Sequence, residues 1–270
     1  MILPHTLTML TVTALPAFED NYIWVMHANG HAIAVDPGDP APLEAFIDTH
    51  QLALDAVLIT HHHRDHTGGN TRLRKRYHCA IYGPDNPQIP DLTHIVHEHD
   101  VLEFPALELK LSVIETPGHT LDHISYFGAE LNGKGHVFCG DTVFGCGCGK
   151  LFEGTPAIMS ASLDKILTLP DATRLCCAHE YTLSNIAFAL TIDGGNPALI
   201  ARELSDRNKR MLQQATLPSS LELEKATNPF LRFYNTDMIS FAQSYLGRTG
   251  LDSSEVFGAI RAAKDDWDSA

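Results

Sequence analysis

Short apolar or alternating runs, separated by Gly, Pro, Asn and Asp, dominate the first two thirds of the chain. Runs rich in Val, Ile, Thr and aromatic residues are typical of β-strands. We therefore predict strands over residues 10–15, 21–26, 31–35, 56–59, 80–82, 107–114, 124–128, 137–139 and 175–178. Apolar residues at helical spacing predict helices over 42–47, 68–77 and 160–169. The pattern therefore predicts a mixed α/β fold.

After residue 182 the strand pattern nearly vanishes and helical spacing takes over. Helices are predicted over residues 183–191, 197–214, 237–246 and 253–263. The last of them follows Asp252-Ser-Ser-Glu255, which has the spacing of an N-terminal capping box. We therefore predict an α/β domain over residues 1–182 and a small helical domain over residues 183–270.

The composition is that of an acidic globular protein. The 270 residues are 44% hydrophobic and 19% charged, which is compatible with a full hydrophobic core. The 19 Lys and Arg stand against 33 Asp and Glu, for a formal net charge of −14. Because binding to a phosphate backbone depends on basic surface, we predict no nucleic-acid partner. A small anionic substrate is still compatible with this net charge if a few basic residues lie close together at its binding site.

Cysteine usage and apolar runs bear on the expected location of the protein. The six cysteines show no zinc-ribbon spacing, and a chain of this length needs no disulfide framework. We therefore predict reduced thiols in a cytoplasmic protein that acts as a monomer. Residues 1–10 lack the pattern of a signal peptide. No apolar run reaches the roughly 20 residues that span a bilayer, so we expect no membrane partner.

Histidine and aspartate residues cluster where four predicted strands end. The strand over 56–59 leads into residues 61–66, His-His-His-Arg-Asp-His, and later strands lead to His119, Asp141 and His179. Loops on a rigid scaffold are where chemistry is usually placed. Surface histidines without a metal are the alternative interpretation, but the spacing and the strand-end context together favour a metal site.

The spacing predicts two metal ions rather than one. One ion would have three protein ligands and an open position, as in catalytic zinc sites. The predicted ligands are His61, His63 and His119 for the first ion, Asp65, His66 and His179 for the second, and Asp141 for both. If residues 61–66 are extended, His66 faces away from the side chains at 61, 63 and 65. Two ions about 3.5–4 Å apart acidify a shared water, so no serine or cysteine nucleophile is required.

Other residues near these motifs receive different interpretations. We interpret His62 and His123 as residues that pack against the ligands or orient them. A second histidine group is interpreted as a solvated turn; it comprises His94, His97 and His99. Residues 145–150 lack the spacing of a dithiol motif and of a phosphate loop. We expect a flexible segment that brings Lys150 close to a substrate, with an ordinary exposed lysine as the alternative.

A set of short motifs runs from residue 15 to residue 232. They are LPA at 15–17, DNYIW at 20–24, THHHRDHTGG at 60–69, TPGH at 116–119, GDT at 140–142, GC at 145–146 with EG at 153–154, HEY at 179–181 and NPFLR at 228–232. Through the His-x-His-x-Asp-His segment the chain resembles the metallo-β-lactamase superfamily. Through the whole set it resembles the glyoxalase II family, the hydroxyacylglutathione hydrolases.

The resemblance implies an αββα metallo-β-lactamase sandwich with two metal ions at one edge and a C-terminal helical domain that covers the substrate. It implies hydrolysis of a glutathione thioester, typically S-D-lactoylglutathione, to D-lactate and glutathione, the second step of methylglyoxal detoxification. In that mechanism a metal-bridging hydroxide, held with Asp65 and Asp141, attacks the thioester carbonyl. Zinc is the expected metal, with iron or manganese as alternatives.

The resemblance also assigns contacts to glutathione. The family's contact residues map onto Lys150, Tyr181 and Arg232, and Phe152 stands where the family often has tyrosine. Asn235 stands where some members carry a second basic residue. Because a charge-assisted hydrogen bond contributes about 1.5–3 kcal/mol, these two departures predict weaker binding of glutathione with hydrolysis retained.

Other functions on the same scaffold are alternatives. An iron-dependent persulfide dioxygenase would use one metal and fewer of the ligands, and such enzymes usually lack the helical tail. Another ester or thioester hydrolase would keep the ligands and change the substrate. A non-catalytic binding module requires a degraded ligand set, which this sequence does not have. A β-lactam or nucleic-acid hydrolase fits an acidic chain with this tail less well.

Overall fold

A computed structural model describes residues 9–131 and 133–269. Two six-stranded sheets form its centre. In order across the first sheet, the strands are β1 (Thr11–Ala17), β2 (Asn21–Ala28), β3 (His31–Val35), β4 (Ala53–Leu58), β5 (Ala80–Gly83) and β6 (His94–Ile95). The strands β1 to β3 are antiparallel, and β3 to β6 are parallel. This mixture explains why the chain alternates hairpins with helical crossovers.

The second sheet is also mixed. Its strands are β7 (Val101–Phe104), β8 (Leu109–Glu115), β9 (Ile124–Leu131), β10 (Lys134–Gly140), β13 (Arg174–Cys177) and β14 (Ser219–Ser220). The strands β11 (Val143–Phe144) and β12 (Gly147–Cys148) form a separate hairpin. The order across the sheet is β14-β13-β10-β9-β8-β7. Among the described strands of this sheet, β10 and β13 pair in parallel and the other neighbours pair antiparallel.

Nine α-helices occur in the described residues. They are α1 (Pro40–His50), α2 (Arg64–Thr67), α3 (Asn70–Tyr77), α4 (Pro156–Leu167), α5 (Thr182–Asp193), α6 (Pro197–Met211), α7 (Leu221–Thr227), α8 (Thr236–Leu246) and α9 (Ser253–Asp268). The predicted capping box is confirmed, because the Asp252 carboxylate accepts from the Glu255 N–H and the Glu255 carboxylate accepts from the Asp252 N–H.

Alternate residues of the central strands face two different cores. In β2, Trp24 and Met26 belong to the core that includes the second sheet, whereas Ile23 and Val25 pack in a core with residues of α1 and α3. Because both faces of these strands are buried, their sequences are nearly continuous apolar runs. The predicted sandwich of two sheets with helices outside and a helical C-terminal region is confirmed.

Several predicted boundaries differ from the structure. The helix predicted over 68–77 is α3, which begins at Asn70, and the short α2 before it was not predicted. The strand predicted from 107 begins at Leu109 after a 3-10 turn at Pro105–Leu107. The predicted turn around residue 94 contains β6. The patterns did not predict β6, β7, β11, β12, β14 and α7. All of these are short, so they carry little periodicity.

The cysteines and the helices bear on the expected location. All six cysteines are free and buried, as the prediction of reduced thiols requires. Within residues 9–131 and 133–269, no helix combines the length and apolar character that crossing a membrane requires. The prediction that residues 1–10 are not a signal peptide falls mainly on residues 1–8, which lie outside the described residues.

Candidate metal centre

Four strand ends bring histidines and aspartates together at one edge of the sandwich. His61 follows β4, His119 follows β8, Asp141 follows β10 directly and His179 follows β13. The end of β10 packs closely against the start of the ligand loop, because a Cβ atom on Gly140 would lie 2.5 Å from Thr60 Oγ1. Gly140 also has a φ of +45°. Glycine is therefore required just before Asp141.

Of the three groups of potential metal donors in the described residues, two contain the predicted ligands, and the third is His62, Asp122 and Glu153. Within each group, one nitrogen or oxygen atom per residue lies within 4.8 Å of the others. The first group is His61, His63, His119 and Asp141, and the second is Asp65, His66 and His179. All seven side chains named from the sequence are thus brought together.

Asp141 lies between the two groups. Its Oδ2 atom is 3.3 Å from His119 Nε2, and its Oδ1 atom is 3.4 Å from His179 Nε2 and 3.5 Å from His66 Nε2. Each oxygen of this one carboxylate therefore faces a different group. This is the geometry that a bridging ligand needs.

The backbone of residues 61–66 is not extended throughout, so the expected alternation of faces is wrong. His63 is the N-cap of α2, and Asp65 and His66 lie within that helix. The change from extended to helical backbone redirects Asp65 toward His66 instead of toward His61. The potential donors fall into two groups because of this change in the backbone, and their role as metal ligands stays a prediction.

Hydrogen bonds fix the outer ring nitrogen of several donors. His179 Nδ1 donates to Asp20 Oδ1 at 2.7 Å, and His119 Nδ1 donates to the Lys150 carbonyl at 2.8 Å. His66 Nδ1 lies 3.0 Å from Asp36 Oδ2. Contacts of this kind fix the tautomer and the ring orientation of metal-ligating histidines.

Asp36 and Asp20 did not emerge from the sequence as site residues. Asp36 follows β3, so the strand-end signal that located the ligands could have found it. Asp36 also accepts from the Thr60 N–H and hydroxyl, at 2.8 and 2.7 Å, and thereby fixes the start of the ligand loop. Asp20 lies in the DNYIW motif without any pattern that marks it as a partner of His179.

The centre fits divalent cations. His61 Nε2, His66 Nε2 and Asp141 Oδ1 are buried and make no hydrogen bond with any described residue. Leaving such atoms without a partner is costly, and cation coordination satisfies them. Imidazole and carboxylate together suit zinc, iron and manganese.

Burial and charge set the ionisation of the donors. Burial lowers the pKa of His61 well below its usual value, and the nearby His66 adds to this. For His179, burial also favours the neutral ring, but contacts with the carboxylates of Asp141 and Asp65 outweigh it and raise the pKa of His179 to about 10. Burial raises the pKa of Asp141, yet His66 and His179 bring it well below its usual range. Asp141 is therefore ionised at neutral pH, as a metal ligand must be.

His123 and His62 lie beside the donors without joining the two groups. His123 is buried, stacks on His61 with 4.8 Å between ring centroids, and its Nε2 accepts from the Asp141 N–H at 3.0 Å. His62 Nδ1 contacts Asp122 Oδ1 at 2.9 Å. Both contacts fit the interpretation of these residues as supports for the ligands.

A cavity of about 360 Å³ adjoins the metal centre. Tyr181 lines it and stacks on His179 with 4.7 Å between ring centroids. The charged residues of its lining are Lys150, Arg261, Lys264, Asp265 and Asp268. Three cations thus gather beside the metal donors on a chain of net charge −14.

Sequence reasoning missed Arg261 and Lys264. Both lie on α9, three residues apart, so they share one face of the helix. The helix predicted over 253–263 stopped before Lys264, and no strand-end motif marks either residue. The Arg-x-x-Lys spacing on an amphipathic helix was the available signal.

Two of the predicted substrate contacts lie elsewhere. Arg232 does not line this cavity; it is buried and forms an ion pair with Asp193. Phe152 is 62% exposed, and its ring centroid lies 5.2 Å from that of His119 and 5.5 Å from that of His63. Phe152 therefore covers the first donor group rather than the cavity.

Residues 145–150 are not the flexible segment that was expected. They belong largely to the β11–β12 hairpin, which is buried up to Gly149, and the Cys146 N–H donates to Glu224 at 2.8 Å. Lys150, the first exposed residue after the hairpin, follows a fixed backbone. The position of Lys150 is thus set by packing.

Comparisons with known proteins agree with this geometry. The metallo-beta-lactamase superfamily matches residues 17–179, and the hydroxyacylglutathione hydrolase C-terminus matches residues 180–267. A hydroxyacylglutathione hydrolase of Thiobacillus denitrificans is 63% identical over 260 residues, which cover 96% of this chain and 100% of the relative. One of Nitrosomonas eutropha is 46% identical over 259 residues, which cover 96% of this chain and 100% of that relative.

Solved structures support the fold. ETHE1 from Myxococcus xanthus matches with a TM-score of 0.64 at 22% identity, covering 94% of this chain and 90% of its own. At 22% identity the match supports the fold alone. The two family matches and the closely similar relatives together cover both the metal centre and the helical tail. The chain therefore belongs to the hydroxyacylglutathione hydrolase family, also called glyoxalase II, of the metallo-β-lactamase superfamily.

Proposed function

We infer that the protein is a hydroxyacylglutathione hydrolase, an enzyme that hydrolyses a glutathione thioester. The observation that carries this conclusion is the 63% identity, over 96% of the chain, to a relative of that name. The paired donor groups around Asp141 support it independently, because they suit a binuclear metal site. We propose S-D-lactoylglutathione as the substrate, with D-lactate and glutathione as products.

Two zinc ions are the proposed cofactors, with iron or manganese as alternatives. The proposed ligands are His61, His63, His119 and Asp141 for one ion, and Asp65, His66, His179 and Asp141 for the other. When bound, the two ions supply Lewis acidity that acidifies water and polarises the thioester carbonyl.

The chain's own residues hold this centre in place. Asp141 Oδ1 and Oδ2 fix the distance between the two groups, and the His123 ring holds the Asp141 backbone. The Asp65 side chain is 42% exposed, and its Oδ2 accepts from Asn21 Nδ2 at 3.0 Å. Burial favours the neutral acid, but the contacts of Asp65 with His179 and His66 outweigh it and hold the pKa of Asp65 well below its usual range. Because a metal ligand must be deprotonated, this low pKa supports Asp65 as a ligand of the second ion.

The cavity beside Tyr181 is the proposed site for glutathione. Glutathione carries two carboxylates and one ammonium group, and the cavity offers cations at Lys150, Arg261 and Lys264 and carboxylates at Asp265 and Asp268. This complementarity supports the assignment. We propose that Arg261 and Lys264 supply the positive charge that the resemblance assigned to Arg232 and that Asn235 lacks.

Other expectations stay proposals. We propose that residues 1–182 are the catalytic domain and residues 183–270 the substrate-binding domain, since Lys264 and Arg261 lie in the latter. A monomeric state and a cytoplasmic location remain predictions from the sequence. Sedimentation of the purified protein would test the first.

The reaction is tested by offering the purified, metal-loaded protein S-D-lactoylglutathione and following the loss of thioester absorbance. We expect turnover that a chelator abolishes and that added zinc restores. Turnover that is absent, or that is indifferent to metal, would contradict the proposal. Oxygen uptake with one iron per chain would instead favour the persulfide dioxygenase alternative.

A further inference from the structure

A second cavity, of about 450 Å³, adjoins the metal centre at Asp65. Its lining residues are Phe18, Gly38, Arg64, Asp65 and Gly68, none of which lines the cavity beside Tyr181. The proposed glutathione site therefore does not include it. A thioester has two arms on either side of its carbonyl group, so the second arm, the acyl group, needs a place of its own.

The turn that carries Phe18 is fixed to the metal donors. Asp20, the last residue of this turn, accepts from His179 Nδ1 at 2.7 Å, and Asn21, the first residue of β2, donates to Asp65 Oδ2 at 3.0 Å. Phe18 itself has a φ of +49° and is 58% exposed. A left-handed backbone is unfavourable for an aromatic residue, and such outliers concentrate at functional sites. The turn therefore holds an exposed ring at the mouth of this cavity.

Arg64 brings a free positive charge to the same cavity. Among the described residues, none forms an ion pair or hydrogen bond with its guanidinium group. On the following helix, by contrast, Arg72 and Arg76 both pair with Glu44. The backbone below Arg64 is closely packed, because a Cβ atom on Gly38 would lie 1.6 Å from the Asp65 carbonyl oxygen. The position of α2 at this point is therefore fixed, while the arginine side chain is exposed to solvent.

We propose that this cavity receives the acyl arm of the thioester, and that Arg64 selects acyl groups ending in a carboxylate, with Phe18 packing on the intervening methylene groups. The proposal rests on the function proposed above. A guanidinium group without a partner pairs readily with a carboxylate. Without Arg64, Asp65 and the net charge of −14 would disfavour such a substrate.

The test compares two substrates that differ in one terminal group, S-succinylglutathione and S-butanoylglutathione. The measured quantity is the ratio of their kcat/KM values on one preparation, which does not depend on the fraction of active enzyme. In Arg64→Gln we expect the succinyl-to-butanoyl ratio to fall about fivefold, the contribution of one solvent-exposed ion pair. Arg64→Lys keeps the charge and should keep most of the ratio.

Lys75→Gln is the matched control, because it removes an equally exposed positive charge from α3, away from this cavity. Added salt should lower the wild-type ratio and leave that of Arg64→Gln unchanged, since salt screens exposed ion pairs. An equal ratio in wild type and Arg64→Gln would overturn the proposal while leaving the hydrolase function intact. If the wild type hydrolyses S-D-lactoylglutathione but neither of these two thioesters, the acyl-site proposal is overturned alone; absence of turnover of all three would overturn the hydrolase function as well.

Discussion

At the scale of single residues, Asp141 is the residue that burial, charge and contacts with both donor groups constrain most. It is buried, its pKa is held below the usual range chiefly by His66 against the effect of burial, and its two oxygens face separate donor groups. The sequence predicted this bridging position from a Gly-Asp pair at a strand end. The supports Asp20 and Asp36 were not predicted, because their role depends on side-chain contacts between distant segments.

Asp141→Asn should lose metal from both groups and most of the activity. An amide has no charge and only one oxygen, so it cannot serve two cations. Loss of a mere supporting hydrogen bond lowers metal affinity about 10- to 100-fold, and we expect a fall in activity of more than about 100-fold here. Metal per chain and kcat measure the effect. Asp85→Asn, at an exposed carboxylate, is the control, and wild-type metal content in Asp141→Asn would disprove the bridging role.

Lys264→Gln should weaken glutathione binding without slowing the chemical step. Because one charge-assisted hydrogen bond contributes about 1.5–3 kcal/mol, we expect KM for the thioester to rise about tenfold or more with kcat nearly unchanged. Lys110→Gln, at an exposed lysine of β8, should leave KM unchanged. An unchanged KM in Lys264→Gln would remove this residue from the proposed glutathione site.

At the scale of elements, long periodic segments were predicted well and short ones were not. The strands β2, β3 and β8 and the helices α5, α6, α8 and α9 follow clear patterns. Metal donors follow the ends of the predicted strands β4, β8, β10 and β13. The helix α2, only four residues long, lies inside the ligand motif and is set by tertiary contacts. The C-terminal part of α9, which carries Lys264, extends past the predicted end. Helix ends are set by capping and packing and are therefore less predictable than helix centres.

One buried carboxylate joins several elements. Glu224 of α7 accepts from Arg202 of α6 at 2.6 Å, from Asn228 at 3.1 Å and from the N–H of Cys146 in the β11–β12 hairpin at 2.8 Å. It thereby connects the helical region to the hairpin that precedes Lys150. These contacts make the position of the hairpin depend on α7.

Glu224→Gln should therefore destabilise the fold. Because it leaves the buried charge of Arg202 without its principal partner, we expect a loss of about 3 kcal/mol in the free energy of unfolding. Urea unfolding followed by fluorescence measures this loss. The exposed neighbour Glu222, changed in the same way, should shift stability by less than about 0.5 kcal/mol. Equal effects of the two changes would contradict this role of Glu224.

At the scale of the whole molecule, the metal centre joins segments far apart in sequence. Its donors come from residues 61 to 179, and Asp20 ties the N-terminal turn to His179. Cations that bind only the folded state stabilise it by mass action. Metal binding should thus contribute to stability as well as to chemistry.

Removing the metals should lower the unfolding temperature. A cation at about 1,000 times its dissociation constant contributes about 4 kcal/mol, which corresponds to roughly 10 °C for a chain of this size. Differential scanning calorimetry with and without a chelator measures the shift. Asp141→Asn should show a much smaller shift than the wild type, and equal shifts in both proteins would mean that the chelator acts elsewhere.

The most direct test of a binuclear thioester hydrolase is titration of the metal-free protein with zinc while the initial rate of S-D-lactoylglutathione hydrolysis is measured. The account predicts little activity without metal and a rate that rises until two equivalents per chain are bound. Full activity without added metal, or a plateau at one equivalent, would contradict it.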